Sequence, residues 1–451
     1  MTNSSGSAIL KAVLALVALL LLGAAGAESL EDESKLPPPP PPEEEQGLPG
    51  NWEVSDGWNL GDEVVELFAK EHGLTPEEGL AVLDYQTKIA AGREAVFKEF
   101  SDTIAETEFV LGEQKWIVHV TAEKSQDRQS LDRIYPELTG TIEIRSGAAM
   151  TLEELVVRQN SEMRELDAVT GREIIDASYG DTQISDCQHL TGAASEGGRL
   201  ITMKVPGASL VTGVDYNNWV GCSGLSSIST CTTGMSATKG TLQGYVTAAH
   251  CGGSSSSHWY SSMMAYNQLY PYASHRWSNG SYGWSNDSEF IKERFGSTAL
   301  NNRVYRDESA GFLNMTTHIT VPPSTNEAVC GKSAVNTFPE GYGIYGRFDD
   351  TAGYFCGKVV DSNSTVFLNH NSANFAKMEI SSLYIMSGRV VMGGGSGGPV
   401  WHGSEFHGIM VHANDIVGYY GSQQRAGYRD VYYQHADAIE QQLGVTLYMG
   451  S

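Results

Sequence analysis

A chain of 451 residues exceeds what one hydrophobic core ordinarily organises, so two folded units with tails are expected. Its formal charge of -25 is unevenly placed: residues 1–186 carry 36 acidic and 14 basic side chains, and residues 187–451 carry 18 and 15. Neither half is basic, which excludes the phosphate-neutralising surface that nucleic-acid binding needs, and the lopsided balance suggests different work for the two halves.

The chain opens with a secretory pattern. Lys11 precedes an apolar run over 12–22, and small residues follow to Ala25-Gly26-Ala27, an A-x-A cleavage site. The run is too short to cross a bilayer comfortably, so 1–27 reads as a signal peptide, with no membrane attachment after its removal. Residues 28–50, in which Pro37 to Pro42 lead into Glu43-Glu44-Glu45, have almost nothing to bury and read as a disordered linker. Residues 51–186 pattern as a compact α+β unit. Val64, Val65, Leu67 and Phe68 are spaced for one helix face. Thr75-Pro76-Glu77-Glu78 supplies the N-cap, first-turn proline and capping-box glutamate of a second helix carrying Leu80, Val82 and Leu83. Phe109-Val110-Leu111 and residues 116–120 read as strands, and a further helix is expected over 151–160.

From Gly197 onward glycine and serine become frequent, and short β-rich segments alternate with turn signals. Strands are expected over 200–205, 242–248, 317–321, 358–360, 365–368, 382–386 and 406–412, with a closing helix near 431–443. The texture is all-β. Cys187, Cys222, Cys231, Cys251, Cys330 and Cys356 all fall in this half, and in an exported chain their even number reads as three disulfides. No C-x-x-C or clustered Cys/His spacing suggests a metal, and no cofactor is implied. Asn279, Asn314 and Asn363 begin glycosylation sequons. Another begins at Asn286 and is expected to stay unused.

Two segments carry chemistry. Thr247-Ala248-Ala249-His250-Cys251 lies at the end of one expected strand, and Gly393-Gly394-Gly395-Ser396-Gly397-Gly398-Pro399 just after another. A serine hydroxyl is a poor nucleophile until an imidazole takes its proton, and the resulting tetrahedral intermediate needs N–H donors aimed at its oxygen. Glycines around Ser396 permit the backbone turn that aims such donors and leave no Cβ in the substrate's way. Either segment alone is unremarkable. Together, in an exported β-rich chain, they point to a nucleophile and its base.

T-A-A-H-C and G-x-S-G-G-P resemble the histidine and serine signatures of the chymotrypsin-like serine proteases. Cys231-Thr232-Thr233-Gly234-Met235, Cys330-Gly331, Cys356-Gly357-Lys358-Val359 and the ending Leu443-Gly444-Val445-Thr446-Leu447 are similar to segments of the α-lytic protease and streptogrisin branch, so the resemblance spans roughly 197–451. It implies two six-stranded antiparallel β-barrels with a C-terminal helix, occupying 187–451 after an α+β pro-region. It implies a secreted, extracellular serine endopeptidase acting on protein or peptide substrates, with His250 as general base and acid, Ser396 as nucleophile, and the N–H groups of Gly394 and Ser396 as oxyanion hole. The third triad member is expected between them. Asp287-Ser288-Glu289-Phe290-Ile291 fits best, and Asp307, Asp349 and Asp350 are rivals.

The resemblance also implies disulfides Cys231–Cys251 and Cys330–Cys356, which leaves Cys187 with Cys222. It implies a pocket with Val390 on one side and Met410, Val411 and His412 on the other. Val390 disfavours a basic substrate side chain; apolar walls suit a large apolar one, and His412 an acidic one. The pro-region would assist folding and inhibit until removed, and the mature enzyme is expected to be a monomer. Gly395 departs from the family, which usually has aspartate there. That departure keeps an alternative open, a catalytically inactive secreted homologue that binds or regulates.

Overall fold

In the computed structural model the described residues are 54–157 (except 56 and 156), 209–213, 228–232, 234–249, 258–263, 268–272, 276–278, 287–292, 302–307, 311–333, 354–368, 371–393, 395–420 and 425–450. The signal and linker expectations for 1–50, and the expected strand at 200–205, lie outside them. The described residues belong to one compact unit.

Its N-terminal part starts with strand β1 (Val54–Ser55) and helices α1 (Glu63–His72) and α2 (Pro76–Glu99). Local chemistry sets both helix starts. Asp62 accepts from Val64 N, and the expected capping box is present, with Glu78 N donating to Thr75 Oγ1 at 3.3 Å and Thr75 N to Glu78 Oε2 at 2.8 Å. Three strands follow, β2 (Ile104–Phe109), β3 (Trp116–Val120) and, after helix α3 (Asp127–Ile134), β4 (Ile142–Ser146). β2 and β3 are antiparallel; β3 and β4 are parallel, as the crossover helix requires. The strand expected at 109–111 ends at Phe109, because Val110 N turns back to Lys115 O. Phe109, Trp116, Val118 and Ile142 form a core with Ile89 and Val96 of α2. At 151–160, Thr151 and Glu154 close a second capping box on a helical turn, and the rest lies mostly outside the described residues.

The C-terminal part is mostly strand. Two open sheets come first. One joins β5 (Ser209–Gly213), β6 (Ile228–Thr232), β9 (His258–Met263) and β10 (Gln268–Tyr272). The other joins β7 (Ser236–Lys239), β8 (Leu242–Thr247), β11 (Arg276–Ser278), β12 (Glu289–Lys292) and the terminal β23 (Thr446–Leu447). β13 (Arg303–Asp307) pairs with β14 (Gly311–Asn314), and β1 adds to β14 in parallel through Val54 opposite Phe312.

The largest sheet runs β15 (Thr317–His318), β21 (Glu405–Tyr420), β20 (Pro399–His402), β16 (Ala328–Lys332), β17 (Tyr354–Leu368), β18 (Asn371–Ile380), β22 (Arg425–His435) and β19 (Val391–Met392). Because β21 also pairs with β22, six of these strands (β21, β20, β16, β17, β18 and β22) close into an antiparallel ring. Full closure removes edge strands. The described pairings thus draw one six-stranded ring, while those of 209–292 and 446–447 form the two open sheets.

Three expectations change. Residues 382–386 are not a strand but helix α4 (Ser382–Met386), capped by Ser381 Oγ; so short an apolar run does not separate the two by pattern. The expected strands at 358–360 and 365–368 are one strand, β17. The closing helix is α5 (Ala436–Leu443), and 431–435 belong to β22. Cys330 and Cys356 sit opposite each other on β16 and β17 and are disulfide-bonded. The side chains of the other four cysteines lie outside the described residues. Asn363 is 7% exposed, so its sequon has no room for a glycan in the folded chain.

Candidate active site

Three segments meet where β8 ends. β12 pairs antiparallel with β8, Glu289 opposite Thr247, which brings Asp287 alongside Ala249. Ala249 N donates to Asp287 O at 3.3 Å. Asp287 is buried, and its own N–H donates to Gln434 Oε1 at 2.8 Å. Gln434 Nε2 in turn donates to Ser288 Oγ and Gln442 Oε1, so the end of β22 and helix α5 clamp the aspartate's segment. Spacing could not reveal Gln434, which is 147 residues away.

The serine turn arrives from the ring. Thr232 N donates to Ser396 O at 2.8 Å, Gly397 N to Met410 O at 2.7 Å, and Met410 N to Gly398 O at 2.8 Å. Thr247 Oγ1 donates to Thr232 O, tying the histidine strand to the same point. Gly397 has φ 83°, and a Cβ there would overlap Thr247 Oγ1 and Thr232 O and stand 3.0 Å from Ala248 N. A glycine is required on both counts. At Gly395, where the resemblance leads one to expect aspartate, a Cβ would stand 2.9 and 3.1 Å from Val391 Cγ2 and Ser333 Oγ, so both side chains would have to shift to admit a larger residue. Ser396 is buried at the centre of this interlock.

His250 and Gly394 lie outside the described residues, as do Asp349 and Asp350. Asp307 ends β13, in a different sheet from β8 and β12. Of the expected pocket residues, Met410 lies against the Gly398 backbone, and Val390 immediately precedes β19, which pairs with β22. Val411 is in the main core. His412 stacks obliquely on Tyr432 at 5.5 Å between ring centres.

A second polar cluster was not anticipated. Arg93 of α2, 1% exposed, enters the other end of the ring, pairing with Glu327 and, at 3.0 Å, with Glu405. His407 Nε2 lies 3.3 Å from Glu405 Oε2 and 3.5 Å from Glu327 Oε1. Burial opposes Arg93's charge, but Glu327 and then Glu405 more than offset it and raise its pKa. Burial would likewise raise Glu405, yet Arg93 and then His407 hold its carboxyl down to about 2. Beside this cluster, burial, then His407 and Arg93, push His435 down to about 3. Glu327, Glu405 and His407 each offer a donor atom within 4.8 Å of the others, a grouping able to hold a metal; here the arginine fork supplies the cation. The available signal was Arg93 itself, an arginine at i+4 from Ile89 on the helix's buried stripe.

No protein-family model matches the chain, and no curated protein matches it. Solved structures do. It resembles chymotrypsin-like serine proteases. Thermobifida fusca Protease A is 18% identical over 55% of this chain and 99% of that one, with a TM-score of 0.35. Cellulomonas bogoriensis chymotrypsin is 18% identical over 55% and 99%, with a TM-score of 0.34. Alpha-lytic protease homolog N4 is 16% identical over 54% and 98%, with a TM-score of 0.34. At these values no residue role follows from the likeness.

Proposed function

We propose that the chain is a secreted serine endopeptidase made with an N-terminal folding partner. Ser396 Oγ attacks the peptide carbonyl, and His250 takes the hydroxyl proton and returns it to the leaving amine. Water then releases the acyl group by the reverse sequence. Asp287 orients the imidazole and stabilises its cation, and the N–H groups of Gly394 and Ser396 receive the oxyanion. Met410, Val411, His412 and Val390 bound the substrate pocket, whose largely apolar walls suit a bulky apolar side chain. Cys231–Cys251 and Cys187–Cys222 complete the disulfides, and the strands of 209–292 with β23 form a second barrel.

One observation carries this reading. The Asp287 segment and the Ser396 turn both converge on residues 247–249, the three residues directly before His250. One peptide separates His250 from Ala249, about 3.8 Å between Cα atoms. No helix among the described residues is long and apolar enough to cross a membrane, which is compatible with export.

Fluorophosphonate labelling of the secreted protein tests the proposal. The wild type should label and Ser396→Ala should not, while Asp287→Asn should lower kcat by about 10⁴. Folded, processed protein that takes no label would instead favour the binding homologue.

A further inference from the structure

The six-stranded ring has two ends. Ser396 lies just before β20, and His402 is the last residue of that strand. The α2 contacts fall at the His402 end. Thr87 Oγ1 meets His402 Nε2 at 2.9 Å, Gln86 Oε1 accepts from Ala328 N at 2.9 Å, and Arg93 fills the space between Glu327 and Glu405. Helix α1 reaches along the flank. Asp62 Oδ1 accepts from Tyr354 Oη at 3.2 Å, and Glu63 pairs with Arg389 at 2.8 Å. Arg389 precedes Val390, and its guanidinium lies over the rings of Tyr354 and Tyr384. The contacts named here thus fall at the His402 end of the ring and on the segment that leads to Val390.

This contact is built like a core. Val65 and Leu83 share one apolar cluster with Ala328, and Val64 belongs to the ring's own core. Trp116, fully buried, donates from Nε1 to Ser324 Oγ at 3.0 Å. β1 extends the β13–β14 sheet. Withdrawing the unit would leave Glu327 and Glu405 facing each other without their cation, and breaking a buried ion pair from one side is strongly unfavourable. Withdrawing the unit intact would return these apolar and charged groups to water together.

We propose that the N-terminal unit is a permanent subunit rather than a discarded pro-region. After the chain is cut between 157 and 209, residues 54–155 stay docked on the 324–328 and 401–407 face, and the protein works as a two-chain complex. Glu63, acting through Arg389, is a positioning residue for the pocket. The activity half of this proposal rests on the endopeptidase reading; the docking half does not.

The test uses the full chain with a site-specific protease sequence inserted after Gly180, cut near neutral pH and run on gel filtration. The two fragments should co-elute, separate only in denaturant, and label with fluorophosphonate at least as fast as the uncut chain. Arg93→Met should make the cut fragments separate. Glu63→Gln should leave them together and raise KM for a peptide substrate several-fold, with kcat within about twofold. A β-rich fragment that elutes alone and labels at an undiminished rate overturns the proposal, and this arm needs no variant to fold. Co-elution without label in either form keeps the docking and rejects the endopeptidase reading instead.

Discussion

Gly397 is where a single methyl group decides the site. Its φ of 83° costs an L-residue about 1–2 kcal/mol, and the atoms a Cβ would overlap include a backbone carbonyl that has no room to retreat. Gly397→Ala should therefore slow fluorophosphonate labelling by at least about 100-fold, or about 2.7 kcal/mol in activation free energy. Gly240→Ala is the control. Gly240 also has positive φ but nothing lies within 4 Å of its Cβ position, so it should cost only about 1 kcal/mol of stability and leave labelling unchanged. Thermal denaturation beside labelling rates separates the two. A need for glycine near Ser396 is what the proposed oxyanion chemistry asks for, and at 397 the packing requires it as well. Which glycine is irreplaceable was not legible in the sequence, since that depends on Thr232 and Thr247 folding back over position 397. The pairing that sets Asp287 beside Ala249 and the clamp from Gln434 are both long-range contacts that the local sequence pattern does not show.

At the scale of elements, what is local could be read and what is tertiary could not. The Thr75 capping box is complete within four residues, so α2 begins where the sequence says. β17 reads as two strands because Asp361-Ser362-Asn363-Ser364 interrupts the apolar pattern. In the fold those residues bulge, with register shifts between 359, 361 and 364, and Asp361 accepts from Asn363 N and Ser364 Oγ, so the strand continues through them. Between β16 and β17 the Cys330–Cys356 bridge spans a separation of 26 residues. Replacing both by alanine should lower unfolding stability by about 3–4 kcal/mol if the bond acts by constraining the unfolded chain. Urea melts of the oxidised protein and the double variant measure it.

For the molecule as a whole, His435, His402 and Glu405 make stability fall as the pH is lowered. His435 is held to about 3 when folded, against 6.5 in the open chain. Between those values the unfolded state binds a proton that the folded state refuses, so stability falls as pH drops through that window. Burial depresses His402 in the same sense. Glu405, near 2 folded and 4.5 unfolded, adds a further loss as pH falls below about 4.5. Each proton contributes at most about 1.4 kcal/mol per pH unit. Tm should be flat from pH ~7 to ~9 and fall steadily below ~6, and His435→Phe should flatten the upper part of that fall. A Tm that stays constant from pH ~7 to ~4 contradicts the assignment.

The arginine that closes the ring also sets a timetable. Arg93 is 234 residues from Glu327 and 312 from Glu405. Synthesis at about 5–20 residues per second puts on the order of tens of seconds between the first and the last of these. The N-terminal unit has its own core, drawn from residues 85–142, to complete in that interval. The ring cannot close until β22 exists, so contacts of such long range form late. For that time Arg93 stands on a finished helix in water, and assembly ends when some of the youngest residues of the chain reach one of its oldest.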